Sequence, residues 1–309
     1  MASTPAAAAP ASALPSGELR SAFIAGLGAN VFWGLLPILF HFLDGASALT
    51  AVANRMVWSL LVVGLILWVG GRLAGVRAVL RDWRTVRGLL ISALLLAGNW
   101  LLYVWAVQNG HVLEGSFGYF INPLVNVATG MLFFGERQNR WQALAILIAI
   151  VAIGIQAVGI GGVPFISLGL ALSFGFYGYV RKTVHVPSTT GLFVETLVLL
   201  PLAVLYIAYS LLTEGGAPYL DPRTLTLLVL TGPATAAPLL LFAYAVRRLR
   251  LTSVGMLQYI APSFQFVLAV GFFHEQLSPV RLLSFVMIWI SLAVFSADSW
   301  RQHSARAFA

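Results

Sequence analysis

The 309-residue chain contains no cysteine, so disulfides, thiolate metal ligands and thiol chemistry are all excluded. Charge is also scarce. Only 9% of the residues are Asp, Glu, Lys or Arg, against roughly a quarter in ordinary soluble domains. Acidic residues are the rarer sign, 10 against 18 basic ones, and they form no closely spaced pair suited to acid/base chemistry. The five histidines are scattered without metal-ligand spacing, and no serine has a neighbouring base. Gly26-Leu27-Gly28 lacks the third glycine and the preceding strand of a dinucleotide loop. No catalytic residue, metal site or cofactor is expected, and the chain does not read as an enzyme.

What is abundant is apolar surface, at 60% of the residues. Lipid is the solvent that such a chain fits. The net charge of +8 sits in short loops between apolar runs, which speaks for membrane topology and against nucleic acid. A span needs about 20 apolar residues. Ten such runs lie near 21–42, 51–70, 86–108, 112–134, 141–160, 164–183, 191–212, 224–246, 252–273 and 280–298. If all ten cross, fifteen Lys/Arg fall on the side of both termini and two, Arg223 and Arg281, on the other. This bias predicts cytoplasmic termini. The cluster from Arg72 to Arg87 is read chiefly as a topology signal, with anionic headgroups as the other reading.

The chain also repeats itself. Sliding Tyr103–Glu136 by 139 positions lays it on Phe242–Glu275 without a gap, with seven of 34 positions identical. Pro123/Pro262, Phe133-Phe134/Phe272-Phe273 and Glu136/Glu275 are among them. Five spans per unit is an odd number, so the second unit enters the membrane from the other side. The expected fold is therefore all-α integral membrane, ten transmembrane helices as two inverted five-helix repeats. The Ala/Pro/Ser-rich start reads as a disordered tail over 1–18, with repeats over 19–160 and 161–299 and a C-terminal tail over 300–309. No apolar h-region precedes the Ala-x-Ala at 11–13, so a cleaved signal peptide is not expected.

Gly98-Asn99-Trp100, the run Gly118-Tyr119-Phe120-Ile121-Asn122-Pro123, Gly135-Glu136-Arg137, Phe176-Tyr177-Gly178, Val180-Arg181-Lys182, Glu195-Thr196 and Gln258-Tyr259-Ile260 stand out. In these motifs the chain resembles RarD-type proteins of the EamA-domain drug/metabolite transporter superfamily. The resemblance covers all but the N-terminal tail and the last few residues. It implies two inverted EamA units in the cell inner membrane, a small-molecule substrate, and a cavity lined by the first four helices of each unit. It names no substrate.

Polar groups within the spans are the candidate site. Arg55 costs roughly 2.5–3.5 kcal/mol to insert, so it faces a cavity or snorkels to the interface. Glu195 occupies the equivalent place in the second unit and is the candidate for proton coupling, with pairing to Arg181 or Lys182 as its structural rival. Glu114, at the start of its span, is the second coupling candidate, at a depth where it could meet Arg55, or is a solvated helix-start carboxylate. Asn99 and Asn122 offer amides to cargo or act as interhelical glue. Trp100, Tyr103, Tyr119, Tyr177, Gln258 and Tyr259 complete the substrate-binding set, and an aromatic is more often packing than platform. Pro123 and Pro262 are expected hinges. Glu136 and Glu275 are read as caps or partners of local arginines such as Arg137 or Arg140. The expected function is secondary transport of a small amphipathic metabolite or drug by alternating access, driven by a gradient or by exchange. A gradient-independent pore or scramblase-like conduit is the alternative.

Overall fold

The computed structural model describes residues 16–134, 139–213, 215–246, 248–249 and 257–307. They form twelve helices and, among the described residues, no strand: α1 Ser16–His41, α2 Ala48–Val69, α3 Leu73–Arg81, α4 Trp83–Gln108, α5 Val112–Phe134, α6 Arg140–Ile160, α7 Phe165–Thr183, α8 Ser188–Thr213, α9 Ala217–Leu220, α10 Pro222–Val246, α11 Ile260–Gly271 and α12 Pro279–Ala307. Seven of the described helices, α1, α2, α4, α6, α8, α10 and α12, are long and apolar enough to cross a membrane, and most of α7 and all of α11 are shorter apolar helices. The chain is a multi-pass membrane protein.

Burial is distributed as lipid demands. Large apolar side chains face outward, among them Leu61, Leu65 and Trp68 on α2, Leu147 and Ile150 on α6, and Leu202 and Leu205 on α8. The interior instead holds Asn54, Arg55, Ser92, Asn99, Gln156 and Glu195. In hydrocarbon every such group needs an internal partner. Most find one: Ser291 donates to the Ala145 carbonyl at 2.6 Å and Ser284 to Gln156 at 2.6 Å, joining α12 to α6. The same pair is tied at the chain end of α12 by Asn139, whose amide donates to both oxygens of Asp298 at 2.8 Å.

Close crossings need small residues. A Cβ on Gly118 of α5 would stand 2.7 Å from the Ser167 carbonyl oxygen of α7, and one on Gly232 of α10 would stand 2.6 Å from the Trp58 backbone of α2. At these two points backbones touch, as small-residue contacts allow in membranes.

Helix starts recur at the offset of 139. Asp82 caps α4, accepting from the Arg84 amide at 3.1 Å and the Thr85 hydroxyl at 2.6 Å. Asp221 caps α10 the same way, from the Arg223 amide at 3.3 Å and the Thr224 hydroxyl at 2.6 Å. Asn139 caps α6 and Ser278 accepts from the Arg281 amide at the start of α12, again 139 residues apart. Packing recurs too. α5 against α7 is matched by α11 against α1, α4 against α7 by α10 against α1, and α2 against α10 by α8 against α4.

Several expectations need correction. Helix α1 already begins at Ser16, inside the expected 1–18 tail, while residues 1–15 lie outside the described residues. Helix α12 runs on to Ala307, through most of the expected 300–309 tail, because the chain past the apolar run keeps helix-forming residues and no breaker. The Arg72–Arg87 stretch contains the short amphipathic helix α3, with Val76 buried beneath it. Pro123 and Pro262 are not local equivalents. Pro123 lies inside the continuous α5, whereas Pro262 is the third residue of α11, just after a turn at Tyr259, where a missing N–H costs nothing. Glu275 acts as a cap, the first of its two expected roles, but on a helix of the other half of the chain. It accepts from the Val112 and Leu113 amides at 2.5 and 2.9 Å, capping α5 with a negative charge at its positive end. Glu136 and Arg137 lie outside the described residues.

Candidate functional site

Arg55 is 5% exposed, well inside α2, and does not snorkel. Its Nε donates to the Thr235 hydroxyl of α10 at 2.8 Å. Its guanidinium lies 4.0 Å from the centre of the Trp100 ring and 5.6 Å from that of Phe40. Tyr103 packs edge-on against both Phe40 and Tyr119, with ring centres 6.1 and 5.4 Å away. Helices α1, α2, α4, α5 and α10 thus enclose one buried cation in aromatic rings. The Tyr103 hydroxyl is buried without a hydrogen-bond partner among the described residues.

Glu195, 1% exposed on α8, forms the second centre. It accepts from the Ser92 hydroxyl of α4 at 2.5 Å and lies 3.7 Å from Nε of Arg181 on α7. Tyr177 neighbours it. Arg181 Nη1 is buried with no hydrogen-bond partner among the described residues. The pairing with Arg181 is the structural rival anticipated for Glu195; the Lys182 side chain lies outside the described set. Arg55 with Thr235 and Glu195 with Ser92 are counterparts: opposite charges, each the eighth residue of its helix and held by a hydroxyl from the other half of the chain. Between them lies a small, mainly apolar cavity lined by Met56, Ala93, Leu96, Trp100, Glu195 and Thr196, among others. Trp100 borders both centres.

Other candidates sit elsewhere. Glu114 does not meet Arg55. It pairs with Arg281 at 3.8 Å and His111 at 3.1 Å, because it starts α5 next to the start of α12. Asn99 spends its amide donors on the Leu170 carbonyl at 3.1 Å and the Ser173 hydroxyl at 2.9 Å, joining α4 to α7, and receives Tyr119 at 3.4 Å. Asn122 keeps a buried Oδ1 without a partner among the described residues. Tyr177 reaches Tyr119 through Phe174, with ring centres 5.8 and 6.4 Å apart. Gln258 is exposed, and Tyr259 is directed to Ser296 of α12, so neither joins the Arg55 group. Thr235, Ser92, Phe40 and Phe174 went unforeseen. Hydroxyls within apolar runs are the signal that marks the first two, and nothing in the pattern singles out the two phenylalanines.

The EamA-like transporter family matches the chain twice, over residues 20–156 and 162–297. A protein of Vibrio cholerae named "Uncharacterized transporter" is 40% identical over 94% of this chain and 96% of its own. "Protein RarD" of Escherichia coli K12 is 39% identical over 91% and 96%. "Chloramphenicol-sensitive protein RarD" of Pseudomonas aeruginosa is 33% identical over 89% and 93%. One crystal structure aligns with a TM-score of 0.59 and 18% identity over 92% of this chain and 99% of that one, a likeness of fold alone. With two family matches spanning nearly all of a multi-pass helical chain and RarD relatives near 40% identity along its length, this protein belongs to the EamA-like transporter family, as a RarD-type membrane transporter.

Proposed function

We propose that the chain is a secondary transporter of the inner membrane that carries a small amphipathic molecule by alternating access. Its ten apolar runs all cross, as two inverted five-helix repeats over 19–160 and 161–299, with both termini cytoplasmic. One observation carries this reading: the main helix pairings, α5 with α7, α4 with α7 and α2 with α10, recur when each helix is exchanged for its counterpart about 139 residues away. The matching caps at Asp82 and Asp221 sit at what would be opposite membrane faces, as inversion requires. A pseudo-symmetric pair of bundles can rock about a central site, exposing it to each side in turn.

In this reading the outer end is closed by three contacts. The Glu275 carboxylate holds the start of α5, Asn54 donates to Tyr219 at 2.9 Å, and Tyr206 contacts Ser47 at 3.1 Å. The cargo site is the Arg55, Trp100, Tyr103 and Tyr119 group, with Asn99, Asn122 and Tyr177 beside it. Glu195 is the coupling residue: a carboxylate next to a small cavity, held by Ser92, Tyr177 and Arg181, takes and gives a proton as Arg181 moves. No nucleotide loop exists in the sequence, so a gradient or exchange drives the cycle.

Proteoliposomes test this. Saturable flux that follows an imposed proton or substrate gradient is the expected result. Flux that neither saturates nor responds to a gradient would replace the transporter with a conduit, and turnover of the cargo would make it an enzyme.

A further inference from the structure

Charge accounting in the buried region leaves one group over. Glu195 is matched by Arg181 at 3.7 Å and Glu114 by Arg281 at 3.8 Å. Among the described residues, no carboxylate pairs with Arg55, although it is 5% exposed. A buried cation of this kind is costly, and its usual compensation is an acidic neighbour. Here the compensation is partial. The π faces of Trp100 and Phe40 attract the guanidinium, and one hydroxyl, Thr235, accepts from Nε. The terminal nitrogens, which form the donor fork that suits a carboxylate, have no acceptor among the described residues. Tyr103, which packs on the same Phe40 ring as Arg55 and is 4% exposed, has a hydroxyl with no partner among the described residues. Unspent donors therefore converge at this point, around a single net positive charge.

We propose that Arg55 is the seat of a cargo carboxylate, and that the protein carries small organic monoanions with an aromatic or bulky apolar body. This rests on the transporter reading and narrows it. The carboxylate takes the Arg55 fork and the Tyr103 hydroxyl, and the body lies against Trp100 and Tyr119. A neutral cargo leaves Arg55 uncompensated. A cationic cargo meets Arg55 with no carboxylate to receive it, since Glu195 is held by Ser92 and Arg181.

The purified full-length chain in detergent, titrated calorimetrically with 3-phenylpropanoate, 3-phenylpropanamide, 3-phenylpropylamine and phenyl phosphate, decides the matter. The acid should bind about tenfold or more tightly than the amide, the size of one lost charge-assisted hydrogen bond, and the amine should not bind. Arg55→Gln should bring acid and amide to the same affinity, and Arg55→Lys should restore part of the difference. Equal affinities in the unmodified chain, preference for the amine, or binding of neither anion would overturn the proposal without any variant having to fold. Tighter binding of phenyl phosphate than of the carboxylate would overturn the carboxylate assignment in favour of a phosphate monoester. Acid-selective binding in a protein that moves none of these probes across liposomes would sink the transporter reading and leave the anion seat standing. Saturable transport of amide and amine at the acid's rate would do the reverse.

Discussion

At the scale of single residues, the molecule turns on two buried charges whose partners are hydroxyls. Ser92 donates to Glu195 and Thr235 accepts from Arg55, so each charge is anchored across the boundary between the two halves. Glu195→Gln keeps the shape and removes the titration. For a coupling residue, gradient-driven accumulation should vanish while exchange of labelled for unlabelled cargo persists, measured in the same proteoliposomes. Parallel loss of both activities together with the folded yield would assign Glu195 to the Arg181 pair alone. Arg181→Lys should weaken both activities in any case, because a lysine lacks the planar fork.

Elements add a second layer, where caps and close crossings set the angles between helices. Gly118→Ala places a Cβ against the Ser167 carbonyl at 2.7 Å, whereas Gly98 has open space around it. The first substitution should cut the folded yield by size-exclusion chromatography, and Gly98→Ala should leave it unchanged. The caps titrate in opposite senses. Hydrogen bonds from Thr85 and Thr224 hold the Asp82 and Asp221 carboxyls below their usual range. Their contribution is thus complete above the unfolded aspartate value and is lost only as strong acid carries the pH through the lowered one. Burial raises Glu275, against the Val112 and Leu113 amides, His111 and Arg281, which all favour its charged form. A raised carboxyl costs stability as pH climbs from the ordinary glutamate value through the raised one. Lowering the pH across that window should therefore stabilise the unmodified chain more than Glu275→Gln in thermal melts. Equal shifts in the two proteins would remove Glu275 from the balance. Since the chain has no native cysteine, single cysteines at 108 or 274 can report opening of this outer end directly.

At the scale of the whole molecule, the fifteen-to-two distribution of Lys and Arg is the ground for the proposed orientation. A reporter fused after Ala309 should read cytoplasmic, and one inserted in the loop at 215–219 periplasmic. A periplasmic C-terminus would mean an odd number of crossings and would end the inverted-repeat reading. The recurring caps also show how much duplication was already legible. Asp82-Trp83-Arg84-Thr85 and Asp221-Pro222-Arg223-Thr224 share three of four residues at the same offset as the longer repeat, yet a search weighted to apolar blocks passes over them.

Apolar run length, the loop arginines and the 139-residue echo were enough by themselves to determine a helical membrane chain built on a repeated plan, since each is a local or pairwise property of the sequence. Arg55 and Glu195 were legible as well, because a charge within a long apolar run is conspicuous wherever the run ends up. Tertiary structure alone decided their partners. Glu114 turned to Arg281, Asn99 spent its donors on α7, Glu275 reached across to cap α5, and Pro262 fell at a helix start while Pro123 stayed within one. Each outcome depends on helix rotation and crossing angle. Those are set by glycine contacts such as Gly118 on Ser167 and Gly232 on Trp58, which join residues far apart in the chain and leave no periodic trace in it.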